Sequence, residues 1–254
     1  MQQRWPDRLW IVRHGESAGN VARDAAQAAR QARIDIQHRD VDVPLSDLGT
    51  RQAAALGRWF AAMPPEARPD VLLVSPYLRA RQTAGAIQQQ GGLAPEPSGP
   101  LADERLREKE FGILDRLTSF GIAENYPDQV EFRRIMGKFY HRPPGGESWC
   151  DVILRLRSML DTISLHHGGH RVLIVGHQVV VLCLRYLLEE LDEASILAID
   201  REGDVANCGV TQYDFDPALG ATGGLALHRY NFTAPMEREG TPVTAEPDQQ
   251  VAAR

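Results

Sequence analysis

Four short segments carry the clearest hydrophobic signal in the chain. Leu9-Trp10-Ile11-Val12, Val71-Leu72-Leu73-Val74 and Val172-Leu173-Ile174-Val175 are unbroken apolar runs bounded by polar residues. Runs of this length read as strands buried on both faces, as in a parallel sheet. The fourth, Gly209 to Phe215, alternates Val210, Gln212 and Asp214 against Thr211, Tyr213 and Phe215, which suits a sheet edge, and Leu225–Tyr230 is spaced to pair with it.

Helical spacing fills the intervals. Ser46 can cap a helix with Ala53, Leu56, Phe60 and Met63 on one face, stopped by Pro64-Pro65. Residues 78–90 form a second, ended by Gly91-Gly92. From Ser148 to His167, Trp149, Val152, Ile153, Leu156, Met159, Leu160 and Ile163 keep one apolar stripe, with Ser148 and Asp151 as a capping box and Gly168-Gly169 as the stop. A further helix runs from His177 through Leu188. The Ala/Arg/Gln-rich stretch 18–34 predicts a helical excursion after the first strand. Residues 101–145, weaker in periodicity, predict a small helical cap.

Strand and helix in alternation predict an α/β three-layer sandwich, a mainly parallel sheet with helices on both faces. One catalytic domain is expected over residues 1–232. The Pro-, Glu-, Gln- and Thr-rich stretch 233–254 reads as a tail without fixed structure.

Composition narrows the function. The 254 residues suffice for a large core, and a net charge of -6 gives no general attraction to nucleic acid or to anionic membrane. Any phosphate site must therefore be a local cluster of Arg and His. Three cysteines without a CxxC pair argue against a disulfide framework or a Cys-rich zinc site. With no signal-peptide pattern and no apolar run near 20 residues, a cytoplasmic location is expected.

Ligands of an open parallel sheet bind beyond the carboxyl ends of its strands. The first strand is followed by Arg13-His14-Gly15, the second by Ser75-Pro76-Tyr77-Leu78-Arg79, and the third by Gly176-His177-Gln178. Two histidines and two arginines thus converge on one edge. Each alone reads as a structural or solvated residue; together they suit phosphoryl chemistry. Arg offers forked donors that match two phosphate oxygens, and a neutral imidazole can attack phosphorus. Neighbouring Arg charges keep that imidazole neutral, while a second, protonated His can stabilise the transferring group. A carboxyl beside the bound phosphate can hold the proton that the leaving oxygen needs. Asp103, Glu104, Glu108 and Glu110 are candidates, and position alone does not choose among them.

These residues resemble a known family. Leu9–Asn20, LWIVRHGESAGN, resembles the opening motif of the histidine phosphatase superfamily, which includes cofactor-dependent phosphoglycerate mutases and fructose-2,6-bisphosphatases. The blocks Asp42–Ala53, Ser75–Ala84, Leu106–Gly112 and Val172–His177 follow in the family's order, and the resemblance runs from about residue 9 to 215. It implies that His14 is the phosphorylated nucleophile, that Arg13, Arg79 and His177 form the phosphate pocket, and that Asn20 and Gln178 contact phosphate or substrate. It implies Glu108 as the proton donor. No cofactor and no metal are expected, and the partner is a small phosphorylated substrate; the oligomeric state stays open, a dimer included.

Departures from the mutase pattern favour the phosphatase branch. The path from Gly112 to Glu147 is short, Arg116 replaces the usual Gly, Gln178 replaces the usual Asn, and the segment 20–39 is long. The expected function is a phosphomonoesterase. The alternatives are a phosphoglycerate mutase, a metallohydrolase using His14 and His177, and a non-catalytic phosphate-binding or scaffold protein. Arg133, Arg134, Lys138, Tyr140, His141 and Arg142 form a basic cluster that could recognise an anionic substrate or simply be a solvated helix face.

Overall fold

The structure, a computed structural model, describes residues 3–95 and 99–245. β1 (Arg8–Arg13) leads to α1 (Ala18–Ala28) and α2 (Asp47–Ala61). β2 (Val71–Val74) leads to α3 (Leu78–Gly91). A two-residue β3 (Leu101–Ala102) precedes α4 (Ser119–Asn125), α5 (Pro127–Tyr140) and α6 (Trp149–His166). β4 (Arg171–Gly176) runs into α7 (Gln178–Leu188) and α8 (Glu193–Glu202), followed by β5 (Val210–Asp216), β6 (Gly224–Phe232) and α9 (Ala234–Glu237).

The strands form one sheet in the order β3-β2-β4-β1-β5-β6. The first four are parallel, and β5 and β6 are antiparallel at one edge. Alternation along each strand divides the core. Leu9, Ile11, Val172 and Ile174 face α6 and α7, while Trp10, Val12, Leu173 and Val175 face α2 and α3. This is the expected α/β sheet between helical layers. All seven predicted stripe residues of α6 are buried, and truncating one such as Leu156 to Ala would cost about 2–5 kcal/mol.

Three differences from the sequence reading shape the site. The helix expected over 18–34 stops at Ala28, and Arg30 takes a left-handed φ of 52°. Residues beyond it turn back onto the cap: Ile34 N donates to Arg116 O (2.9 Å) and Thr118 N to Ala32 O (3.1 Å). α8 was not foreseen, because only Ile196 and Asp200 of its residues are buried and its apolar signal is thin.

The tail is the third. Residues 233–245 are fixed, not loose: Met236 is fully buried, and Asn207 N donates to Thr244 O (2.8 Å). Gln52 Nε2 donates to Pro242 O (3.0 Å) and Thr244 Oγ1 (2.9 Å). Amide hydrogen bonds hold this segment, and composition does not register them. Residues 246–254 of the expected tail lie outside the described residues. Cys150, Cys183 and Cys208 are free thiols. No helix among the described residues is long and apolar enough to cross a membrane.

Candidate active site

Sheet register brings the chemistry to one level. Arg13 pairs with Gly176, His14 N donates to Gly176 O (2.9 Å), and Ser75 N donates to Val175 O (3.0 Å). The residues just past β1, β2 and β4 therefore stand side by side. The loop after β1 packs tightly on the start of α2, where a Cβ on Gly49 would lie 1.9 Å from Glu16 O, so only glycine permits the approach.

His14 is buried, with Nδ1 2.7 Å from Gly15 O. A carbonyl only accepts, so Nδ1 carries the proton and Nε2 keeps its lone pair. Arg79 Nε approaches Nε2 at 3.2 Å, and the His177 ring lies 5.1 Å away, centroid to centroid. Burial, then the Arg79 and Arg13 charges, hold His14 well below its ordinary pKa. The nucleophile candidate is thus a neutral imidazole whose Nε2 lone pair accepts from Arg79 Nε.

His177 is fixed by Ser75. Ser75 Oγ accepts from Tyr77 N (3.3 Å) and lies 2.7 Å from His177 Nε2, which holds the ring in place. His177 Nδ1 lies 3.5 Å from Glu108 Oε2 and has no hydrogen-bond partner in the resting site. Burial, followed by Arg79 and His14, lowers its pKa well below the ordinary value. The resting pocket thus favours the neutral form of His177, and the protonated form expected from sequence belongs to a site that holds a phosphoryl group.

Arg13 Nη1 donates to Gln178 Oε1 (2.9 Å) and Val205 O (2.5 Å), and Gln178 Nε2 donates to Asp204 (2.9 Å). Gln178 lines the pocket, but both ends of its amide are engaged in orienting Arg13. Asn20 lines the pocket from α1, its Oδ1 accepting from Ser17 N (2.7 Å) in the capping box. Arg79 is held by Asp40: Nη1 reaches Asp40 O (2.6 Å) and Oδ1 (3.0 Å), and Nη2 reaches Oδ2 (3.3 Å). A carboxylate thus occupies the guanidinium fork where a phosphate would bind.

Of the four acid candidates, Glu108 alone lines the pocket. Asp103 is paired with Arg105, whose hydrogen bond holds its pKa below the ordinary value, and Glu110 accepts from Tyr77 Oη (2.9 Å). The loop bearing Glu108 is braced by a buried pair: Arg155 Nε and Nη2 bind Glu147 (3.0 and 3.1 Å), and Arg155 Nη2 also reaches Glu108 O (3.2 Å).

A family model for the histidine phosphatase superfamily (branch 1) matches residues 9–225. The chain belongs to the histidine phosphatase superfamily. A phosphoglycerate mutase-like protein of Arabidopsis thaliana is 28% identical, covering 88% of this chain and 78% of that protein. A protein of Yersinia enterocolitica named "Probable phosphoglycerate mutase GpmB" is 26% identical, with 91% and 95% covered. Among solved structures, one titled "Mycobacterial hydrolase 1" superposes with a TM-score of 0.68 at 25% identity, with 89% of this chain and 99% of that one covered.

Within this histidine phosphatase fold, none of the basic cluster 133–142, on α5 and just after it, lines the pocket. Arg134 binds Glu131, Lys138 binds Asp200, and Arg142 donates to Gly146 O. Of the two readings open for it, a solvated face fits this placement better than substrate recognition at this pocket. The pocket's other cations are Arg23 and Arg116, with His38 nearby, none of them singled out as site residues from sequence. Arg23 follows Asn20 by three residues on α1, a helical spacing that could have flagged it.

Proposed function

We propose that this histidine phosphatase hydrolyses a small phosphomonoester through a phosphohistidine on His14. The observation that carries this reading is the setting of His14: a buried imidazole in the pocket wall whose Nε2 accepts from Arg79 Nε, with Arg13 and Glu108 lining the same pocket and the His177 ring packed 5.1 Å behind it. In the first step Nε2 attacks phosphorus, the ester P–O bond breaks, and Glu108 gives its proton to the leaving oxygen. The guanidinium groups, with His177 behind His14, take up charge on the phosphoryl oxygens. In the second step Glu108 accepts a proton from water as it attacks phosphorus, and the P–N bond breaks to restore neutral His14.

Acid-labile, base-stable phosphate on His14 after rapid quench with labelled substrate is the expected result. Turnover in His14→Ala equal to wild type would overturn the reading. The mutase reading is favoured by the names of the curated relatives. It predicts isomerisation of 3-phosphoglycerate primed by 2,3-bisphosphoglycerate, with little release of inorganic phosphate.

A further inference from the structure

Four arginines line the pocket, and two, Arg13 and Arg79, are gathered at His14. Arg23 and Arg116 come from other walls, the first from α1 and the second from the turn before α4. Their cost and their unused donors call for an explanation.

Arg116 has a φ of 58°, in the left-handed region that residues with a Cβ avoid. Strain of this kind persists where the surroundings over-determine it, often at a ligand site. Here Ile34 N pins the backbone through Arg116 O (2.9 Å). The side chain lines the pocket, and its contacts are long: Nη1 to Ile36 O at 3.5 Å and Nε to Asp115 Oδ2 at 3.7 Å. A guanidinium has five N–H donors, so most of this one's capacity is unspent. Arg23 is half-buried in the same pocket and has no ion-pair or hydrogen-bond partner among the described residues. Burial, then the Asp40 charge, pushes the Asp115 carboxyl up from its ordinary value. Ile34, Ile36 and Phe111 line the same pocket and suit a short carbon skeleton.

We propose that Arg23 and Arg116 form a second anion subsite in the His14 pocket, so that the preferred substrate is a phosphomonoester bearing a further carboxylate or phosphate a few atoms from the scissile phosphorus. This rests on the phosphoryl site proposed above. The cavity, with about 80 Å³ open to water, suits a compact bis-anion rather than a long chain or a phosphoprotein surface.

The test is calorimetric affinity for three non-hydrolysable phosphonates of matched length. Propylphosphonate has a neutral tail, 3-phosphonopropanoate a carboxylate, and propane-1,3-diphosphonate a second phosphoryl group. At least one charged-tail probe is expected to bind wild type tenfold or more tighter than propylphosphonate, and the tighter of the two names the second anion. In R116G, where glycine accepts the left-handed backbone without strain, and in R23Q, that preference should fall at least fivefold. A wild-type preference under tenfold for both probes, or one falling less than fivefold in both variants, overturns the subsite. Hydrolysis of p-nitrophenyl phosphate is read separately. Selective phosphonate binding without turnover would sink the phosphatase reading and leave the subsite standing.

Discussion

Asp40→Asn tests whether the resting site is held by an internal stand-in for substrate. Asp40 places both carboxylate oxygens on the Arg79 fork, at 3.0 and 3.3 Å, while its carbonyl O takes Nη1 at 2.6 Å. The substitution keeps the carbonyl contact and the side-chain shape and removes only the charge. The Asp40 side chain is 41% exposed, so solvent screens the pair. A pair of this kind is worth up to about 1 kcal/mol net. An entering phosphate dianion must displace that contact and approach the same carboxylate. At an effective dielectric near that of water, the repulsion adds roughly another 1 kcal/mol. Inorganic phosphate and orthovanadate should therefore bind Asp40→Asn about 5–30-fold more tightly, a gain of roughly 1–2 kcal/mol. Titration calorimetry at low and high ionic strength reads this directly, and the gain should shrink with salt. An affinity within twofold of wild type would refute the competition. Weaker binding would mean that Asp40 poses Arg79 for phosphate instead of withholding it.

Other expectations follow from the same geometry. Glu108→Gln should slow alkyl phosphates more than p-nitrophenyl phosphate, whose leaving group needs no proton; equal slowing would remove Glu108 as the acid. Ser75→Ala removes the contact that holds the His177 ring and should lower kcat on the order of 10²-fold with a smaller change in KM and an altered pH profile, which steady-state kinetics across pH would show. His14 and His177 are held neutral by burial with lowered pKa values. Below about pH 6.5 the unfolded chain binds protons that the folded protein refuses, so their contribution is complete above that pH and is lost as pH falls. The loss is about 1.4 kcal/mol per pH unit for each group. Thermal melts from pH 7 to pH 5 should show a falling Tm, and a His14→Gln, His177→Gln protein should show a shallower slope.

What could be read from sequence divides along physical lines. The β1, β2 and β4 runs and the α6 stripe were legible because burial on a sheet or helix face writes a period into the chain. Their strand ends then placed His14, Arg79 and His177 together. The choice of Glu108 came from the family resemblance, since Asp103, Glu104 and Glu110 share its local chemistry. The grip of Asp40 on Arg79 was not legible, because it joins a short turn to a helix 39 residues away through one side chain. Nor was Arg116, whose backbone is held by Ile34, a residue expected in a helix that ends six residues earlier. The neutral state of His177 in the resting site required knowing that its ring is fully buried.

The segment around Thr244 has a consequence for the order in which the molecule is completed. Thr244 Oγ1 donates to Asn207 Oδ1 (2.9 Å), and Asn207 Nδ2 holds His14 O (3.0 Å). Gln52 joins Glu16 N (2.9 Å) to the same stretch. During translation, residues 14–16 leave the ribosome more than two hundred positions before this keystone. A nascent chain can therefore have most of its sheet in place while the loop bearing His14 still lacks its backing, and the final setting of that loop is among the last features to arrive.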